Sequence, residues 1–293
     1  MRQPAQTCTP AKRLKALLNN RSATAAPGCH DPLGARLIAQ AGFDAVSVSG
    51  YSVAASHGVP DIGLISGTQM TAQAIAIADA VTLPVVADAD TGYGGVNNIA
   101  ATIKAYERGG VAALHLEDQV NPKRCGAMAS KALVSDEEMS QRLRAAVAAR
   151  HDMLIIGRTD ALTIAGLPET IRRCQCMADS GVDAVMVPSL SSLEDIERVV
   201  RASPVPVLHT VAETVRPVFT QSELQSTGLG MVLYSISLIQ AIVHVQRALL
   251  SELKHKGSTA AFIDVMLPLH QLTELLDAKQ YAEFESQILG NAR

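Results

Sequence analysis

Residues 85–95, VVADADTGYGG, and 114–128, LHLEDQVNPKRCGAM, each begin as an apolar run that breaks off at carboxylates. Runs that stay apolar and then end in acids behave as buried parallel strands whose C-terminal ends open onto a polar site, because a strand covered on both faces shows no polar alternation. Outward from this pair, short β-branched runs recur near residues 22–27, 44–49, 83–88, 112–117, 153–157, 183–187, 205–209 and 229–234. Helix-like stretches such as TAQAIAIADAV, NNIAATIKAYERGG and SDEEMSQRLRAAVAAR separate them, and several close on Gly, a common helix stop. Strict alternation of strand and helix implies parallel strands with right-handed crossovers, and eight of them closing on themselves give an α/β fold of (β/α)8 TIM-barrel type. A doubly wound open sheet is the second reading.

The chain has 293 residues, 48% of them hydrophobic, enough for one barrel with a large core. No Pro/Gly/Ser-rich linker interrupts it, so a single domain over 1–293 is expected, opening with an amphipathic helix within 1–20. A helical extension over about 241–293 supplies more helix than one barrel requires, and its apolar faces need a partner surface; a homo-oligomer is expected. The net charge of −3, with 25 Lys and Arg scattered among 28 acids, leaves no basic stripe for nucleic acid. The most apolar window, GMVLYSISLIQAIVHVQ, falls short of a membrane span and carries Ser, Gln and His. Five cysteines, at 8, 29, 125, 174 and 176, form no regular framework, and the N-terminus lacks the apolar core of a secretory signal. Together these point to a reducing, cytoplasmic setting.

In such a barrel the working residues come from the loops after the strands. That rule gathers Ser49 and Gly50, Asp88 and Asp90, Glu117 and Asp118, and Arg158 and Asp160 at one mouth, with Asp61 of VPDIG in reach. Asp88 and Asp90 point the same way if the strand direction persists between them. Paired carboxylates suit a hard divalent cation, most often Mg²⁺ keeping several waters, and Mn²⁺ accepts the same oxygens. Any one of these acids could instead cap a helix or pair with a basic residue. Several acids directed into one cleft, however, repel and raise one another's pKa unless a cation compensates.

The loop KRCG, residues 123–126, sets Cys125 between Lys123, Arg124 and Gly126. A positive field lowers a thiol pKa from about 8.5, which makes the Cys a usable proton donor or nucleophile, and Gly126 lets the backbone approach a ligand. The plainer reading is an exposed loop cysteine. TGYGG lacks the lysine and spacing of a phosphate-binding loop. Cys174 and Cys176, two apart on a helix, share no face and are expected to pack. Cys8, His57, His115 and His244 are expected in ordinary surface or core roles.

With these residues in view, the chain resembles the isocitrate lyase/phosphoenolpyruvate mutase superfamily over nearly its full length. The resemblance is carried, in order, by VSGYSVAASHGVPDIG, PVVADADTGYGG, LHLEDQVNPKRCG, GRTDA and PVLHTVAET. LEDQ and KRCG look most like 2-methylisocitrate lyases and carboxyphosphonoenolpyruvate mutase-like proteins. It implies a barrel with Mg²⁺ at its mouth and a tetramer exchanging C-terminal helices. Asp88 then matches the direct Mg²⁺ ligand, and Asp61, Asp90 and Glu117 match residues that hold the metal's waters. Ser49, Gly50 and Arg158 match groups gripping the carboxylate of a 2-oxo acid or enolate, and Tyr51, Arg124, Gly126 and Thr210 complete the expected substrate contacts. Cys125 matches the acid/base residue of the lyases, with Lys123 beside it.

The implied reaction is cleavage of a 2-hydroxy di- or tricarboxylic acid to a 2-oxo acid and a second carboxylic acid. An oxaloacetate decarboxylase or hydrolase, or a non-catalytic relative, is the alternative. A phosphonate mutase is disfavoured because mutases carry an Asn-containing loop where this chain reads KRCG. Three positions depart from the lyase pattern: Ala127 replaces a His, Pro188 an acid and Thr210 an Asn. Losing those polar groups together points to a distal pocket altered for a smaller or less polar acid.

Overall fold

A computed structural model describes residues 8–290, apart from 127, 212, 214 and 215. Eight strands follow one another: β1 Thr24–Cys29, β2 Val46–Val48, β3 Val85–Asp88, β4 Ala113–Glu117, β5 Leu154–Arg158, β6 Ala184–Pro188, β7 Val207–Thr210 and β8 Met231–Tyr234. All pair in parallel in chain order, and β8 closes on β1 through Thr24–Met231 and Pro27–Tyr234 register pairs. The barrel expected from the alternation is present, and the open sheet is excluded.

The helices α1 Pro10–Asn19, α2 Pro32–Gln40, α3 Gly50–Ser56, α4 Gly67–Ala80, α5 Val96–Arg108, α6 Asp136–Ala149, α7 Leu162–Asp179, α8 Leu193–Ala202 and α9 Gln221–Ser226 precede or separate the strands. Beyond β8 come α10 Ser237–Lys256, a 3₁₀ turn Ala260–Val265, α11 Leu269–Leu275 and α12 Ala278–Leu289. The chain divides into compact units of residues 1–239 and 240–293. None of the described helices is long and apolar enough to cross a membrane.

Local chemistry sets several boundaries. The N-terminal helix, expected within 1–20, begins at Pro10 because the Thr9 side chain accepts the Lys12 amide as its cap; residues 1–7 lie outside the described residues. The second strand, expected over 44–49, is only Val46–Val48. Ser49 leaves it to cap α3, its side chain accepting the Ser52 amide.

Alternation along each strand decides what faces the barrel axis. Val86, Leu154, Ile156, Met186, Leu208 and Leu233 share one buried cluster, whereas their neighbours Ala87, Ile155, Val185, Val187 and Val232 pack in the other, beneath the helices. Leu14 and Leu18 of α1 join the axial cluster beside Ala45 and Ala112, which precede β2 and β4, so α1 stops the N-terminal end of the barrel. Each of these leucines is fully buried and contributes about 2–3 kcal/mol. Continuing the inward parity towards the strands' C-terminal ends gives Ser49, Asp88, His115, Glu117, Arg158, Pro188 and Thr210. The axis is apolar below and ionic above.

Candidate active site

The inward row opens into a cavity of about 710 Å³ lined, among others, by Ser49, Tyr51, Asp61, Asp88, His115, Cys125, Gly126, Arg158 and Thr210. Asp88 ends β3 at its centre. Its Oδ2 accepts the Gly50 amide at 3.2 Å and its Oδ1 the Asp90 amide at 2.9 Å. A Cβ on Gly50 would stand 2.8 Å from Asp88 Oδ2, so only glycine allows this approach. Burial alone would raise the Asp88 pKa, but His115, Lys123, Arg158 and the Asp90 amide outweigh it and hold the carboxyl well below the usual range.

Asp90 does not reach the site by strand alternation. β3 stops at Asp88, and Asp90 takes a left-handed φ of 46° as its amide folds back on the Asp88 carboxylate. The two acids converge through a turn. Burial, with the Asp88 charge behind it, pushes the Asp90 pKa up to about 6 against the pull of Lys123.

Lys123 is placed otherwise than the sequence suggests. Its ammonium is buried between Asp61 Oδ1 at 2.5 Å and Asp90 Oδ1 at 2.6 Å. Desolvation opposes that charge, yet Asp90, Asp88, Glu117 and Asp61 together keep the ammonium protonated well above its ordinary range. Lys123, two positions before Cys125, is therefore occupied by carboxylates. The Arg124 side chain is exposed.

Arg158 ends β5 and spans Glu117 Oε2 at 3.0 Å and Asp160 at 3.2 Å. Burial, only partly offset by Arg158, raises the Glu117 pKa well above its usual value. Arg158 Nε, His115 Nδ1 and both Glu117 carboxylate oxygens are buried without a hydrogen-bond partner, and so is Thr210 Oγ1. The Gly50 amide, expected to contact substrate, is taken by Asp88. Ala127 lies outside the described residues.

Two further residues take part in the mouth. His115, assigned an ordinary role, stands with Nδ1 3.5 Å from Asp88 Oδ1. Burial lowers its pKa to about 4, with Arg158 and Lys123 helping and Asp88 opposing, so it is neutral near pH 7. Its spacing of two from Glu117 on one strand was the available signal. Gln119, with no distinctive sequence signal beyond LEDQ, grips the backbone of Arg124 with its side chain. Asp118, by contrast, turns away to Thr159 and Arg173 and braces the scaffold. Cys174 is buried in the core as expected.

A divalent cation fits this mouth. Asp61, Asp88, Asp90 and Glu117 set four carboxylates against the two cations Lys123 and Arg158. Glu117 Oε1 is buried with neither a hydrogen bond nor an ion pair, while Glu117 Oε2 and His115 Nδ1 meet only the charges of Arg158 and Asp88, so the mouth holds polar atoms open to a further ligand. Among the described residues no three His, Cys, Asp or Glu side chains close around an ion by themselves. Such an arrangement suits Mg²⁺ held by one or two carboxylates and several waters.

A family model described as phosphoenolpyruvate phosphomutase matches residues 14–254. The chain is 37% identical over 279 residues to a 2,3-dimethylmalate lyase of Eubacterium barkeri, spanning 94% of this chain and 96% of that protein. It is 33% identical over 279 residues to a 2-methylisocitrate lyase of Aeropyrum pernix, spanning 95% and 90%. A solved oxaloacetate acetylhydrolase in complex with 3,3-difluorooxalacetate superposes with a TM-score of 0.91 at 34% identity, covering 97% of this chain and 99% of that one. A phosphonopyruvate hydrolase complex with oxalate and Mg²⁺ superposes at 0.87 and 30%, covering 96% and 99%.

Proposed function

Because the chain belongs to the phosphoenolpyruvate phosphomutase family within the isocitrate lyase/phosphoenolpyruvate mutase superfamily, we propose that it is a divalent-metal-dependent carbon–carbon lyase acting on a 2-hydroxy dicarboxylate with an apolar substituent. The observation that carries this reading is the convergence of Asp88, Arg158 and the Cys125 loop on one cavity, with Glu117 paired to Arg158 behind it. Asp88 would hold the cation directly, with Asp61, Asp90 and Glu117 on its waters. Bound there, Mg²⁺ would act as a Lewis acid towards the developing oxyanion.

The chain's own groups supply the rest. Arg158, with its buried Nε unpartnered, receives a substrate carboxylate, and Ser49 borders the same position. The 2-hydroxyl proton passes to a basic oxygen at the mouth, the C2–C3 bond breaks, and C2 becomes the carbonyl of a 2-oxo acid. The electron pair is left on C3 as the enolate of the second acid, and the Cys125 thiol returns a proton to it. Lys123, pinned between Asp61 and Asp90, orders the carboxylates rather than the thiol.

The distal wall supports a choice of substrate. Met128, Ile164, Met186, Pro188, Val211 and Ile236 border the cavity, interspersed with the neutral hydroxyls of Ser130, Thr163, Ser189 and Ser191. Arg158 and Lys131 are the cations among its lining residues, and Lys131 is tied to the Gly126 carbonyl and Asp160. A third carboxylate would be desolvated there without a free counter-ion, a cost of several kcal/mol. An alkyl-substituted malate is thus favoured over a tricarboxylate.

A panel of 3-alkylmalates, 2-methylisocitrate and oxaloacetate, assayed for 2-oxo acid or acetate release with and without EDTA, tests this. The expected outcome is EDTA-sensitive cleavage that improves as the 3-substituent becomes more apolar; falling activity along that series would refute the substrate choice. The strong likeness to the oxaloacetate acetylhydrolase supports a second reading, hydrolysis of oxaloacetate. Acetate and oxalate as the main products would establish it.

A further inference from the structure

The segment from Gln119 to Leu133 leaves the end of β4 and returns to it. Gln119 and Leu133 form an antiparallel bridge, and the Val120 amide donates to the Ala132 carbonyl at 2.8 Å. Inside this neck the Gln119 amide works as a three-way clasp. Its Oε1 accepts the Arg124 amide at 2.9 Å, and its Nε2 donates to the Arg124 carbonyl at 2.9 Å and to Asp160 Oδ2 at 3.0 Å. The residue so held is the one before Cys125. On the other side, Lys131 Nζ donates to the Gly126 carbonyl and stands 3.8 Å from Asp160 Oδ1.

Asp160 is therefore shared. Its side chain has no exposed surface, and it meets Gln119, Lys131 and the Arg158 guanidinium at once. An anion arriving at Arg158 competes with Asp160 for the guanidinium. As that hold loosens, the Asp160 oxygens are freed to bind Gln119 and Lys131 more strongly. Both of those grip the backbone on either side of Cys125.

We infer that Gln119 and Asp160 are positioning residues that couple anion binding at Arg158 to the placement of the Cys125 thiol. This rests on the site reading given above. The bridge is buried, specific in donor and acceptor, and unnecessary for holding the barrel, whose strands are already paired throughout.

The test uses the full-length protein and oxalate with MgCl₂ as the probe. Iodoacetamide labelling of Cys125 is followed by peptide mass, with Cys8 and Cys176 as internal references. In the wild type, oxalate should slow Cys125 labelling by about tenfold or more; in Gln119→Met the protection should fall below about twofold, although oxalate affinity stays within about threefold. Lys131→Met removes the second grip and should lose protection in the same way; if Gln119→Met does not fold, this variant decides alone. With a substrate in hand, kcat should drop by about tenfold or more with KM little changed. Full protection in both variants, or oxalate affinity lost in parallel with protection, overturns the coupling. A protein that cleaves no hydroxy acid would refute the proposed function while leaving the labelling result to be read by itself.

Discussion

At the residue scale, the chemistry concentrates in a few side chains whose neighbours decide their state. Replacing Cys125 by Ser should cut lyase turnover by about 10²–10⁴-fold, the usual contribution of a positioned acid, with oxalate binding retained. Turnover within a few-fold of wild type would move the reaction to oxaloacetate hydrolysis or to another proton donor. Gly50→Ala presses a methyl against Asp88 Oδ2, 2.8 Å from the built Cβ. It should weaken Mn²⁺ binding, followed by electron paramagnetic resonance, by about 10–100-fold. Unchanged affinity would detach Asp88 from the metal.

His209 gives a stability effect outside the carboxylate cluster. It is buried, its Nδ1 faces the Val187 carbonyl at 3.3 Å, and burial lowers its pKa from 6.5 to about 4. Between those values the unfolded chain binds a proton that the folded one refuses, so stability falls as pH drops through about 6.5 and levels off near 4. The full effect is about 3 kcal/mol. Urea unfolding at pH 7 and pH 4.5 should show a smaller acid loss in His209→Leu than in the wild type. An equal loss would exclude this histidine as the cause.

At the element scale, the strands were legible because eight short apolar runs alternate with helix-like stretches, and every one became a strand. The mouth was legible as well: Asp88, Glu117 and Arg158 are where inward parity meets a strand end. What the sequence withheld depends on turns. Asp90 joins Asp88 through a left-handed residue, which no period-two pattern announces. Lys123 is carried by its loop onto Asp61, 62 positions distant. Gln119 acts through backbone atoms of residue 124, and backbone acceptors have no signature in composition. The plug α1 was legible as an amphipathic helix, but its target was not. Leu14→Ala should cost about 2–5 kcal/mol in urea unfolding, since a void inside the barrel has little room to collapse; a cost below about 1 kcal/mol would mean that the barrel closes without it.

At the scale of the whole molecule, residues 240–290 expose apolar side chains, with Ile263 at 65% and Leu269 at 78%. Surfaces of this kind mark association. The expected state is a homo-oligomer, for which exchange of these helices between subunits is the proposed arrangement. Sedimentation of the wild type should exceed the 30.9 kDa monomer, and Ile263→Glu with Leu269→Glu should shift it towards the monomer. A monomeric wild type would contradict the proposal.

Among the described residues, Leu14 and Leu18 fill the N-terminal end of the barrel axis, which leaves the cavity to open at the opposite end. On the proposed lyase reading, both fragments would leave by the route the substrate took, and the one seated on Arg158 would wait behind its companion. Departure would then be sequential, the second carboxylic acid first and the 2-oxo acid last. Inhibition by added products should carry that signature: competitive for the oxo acid, mixed for its companion.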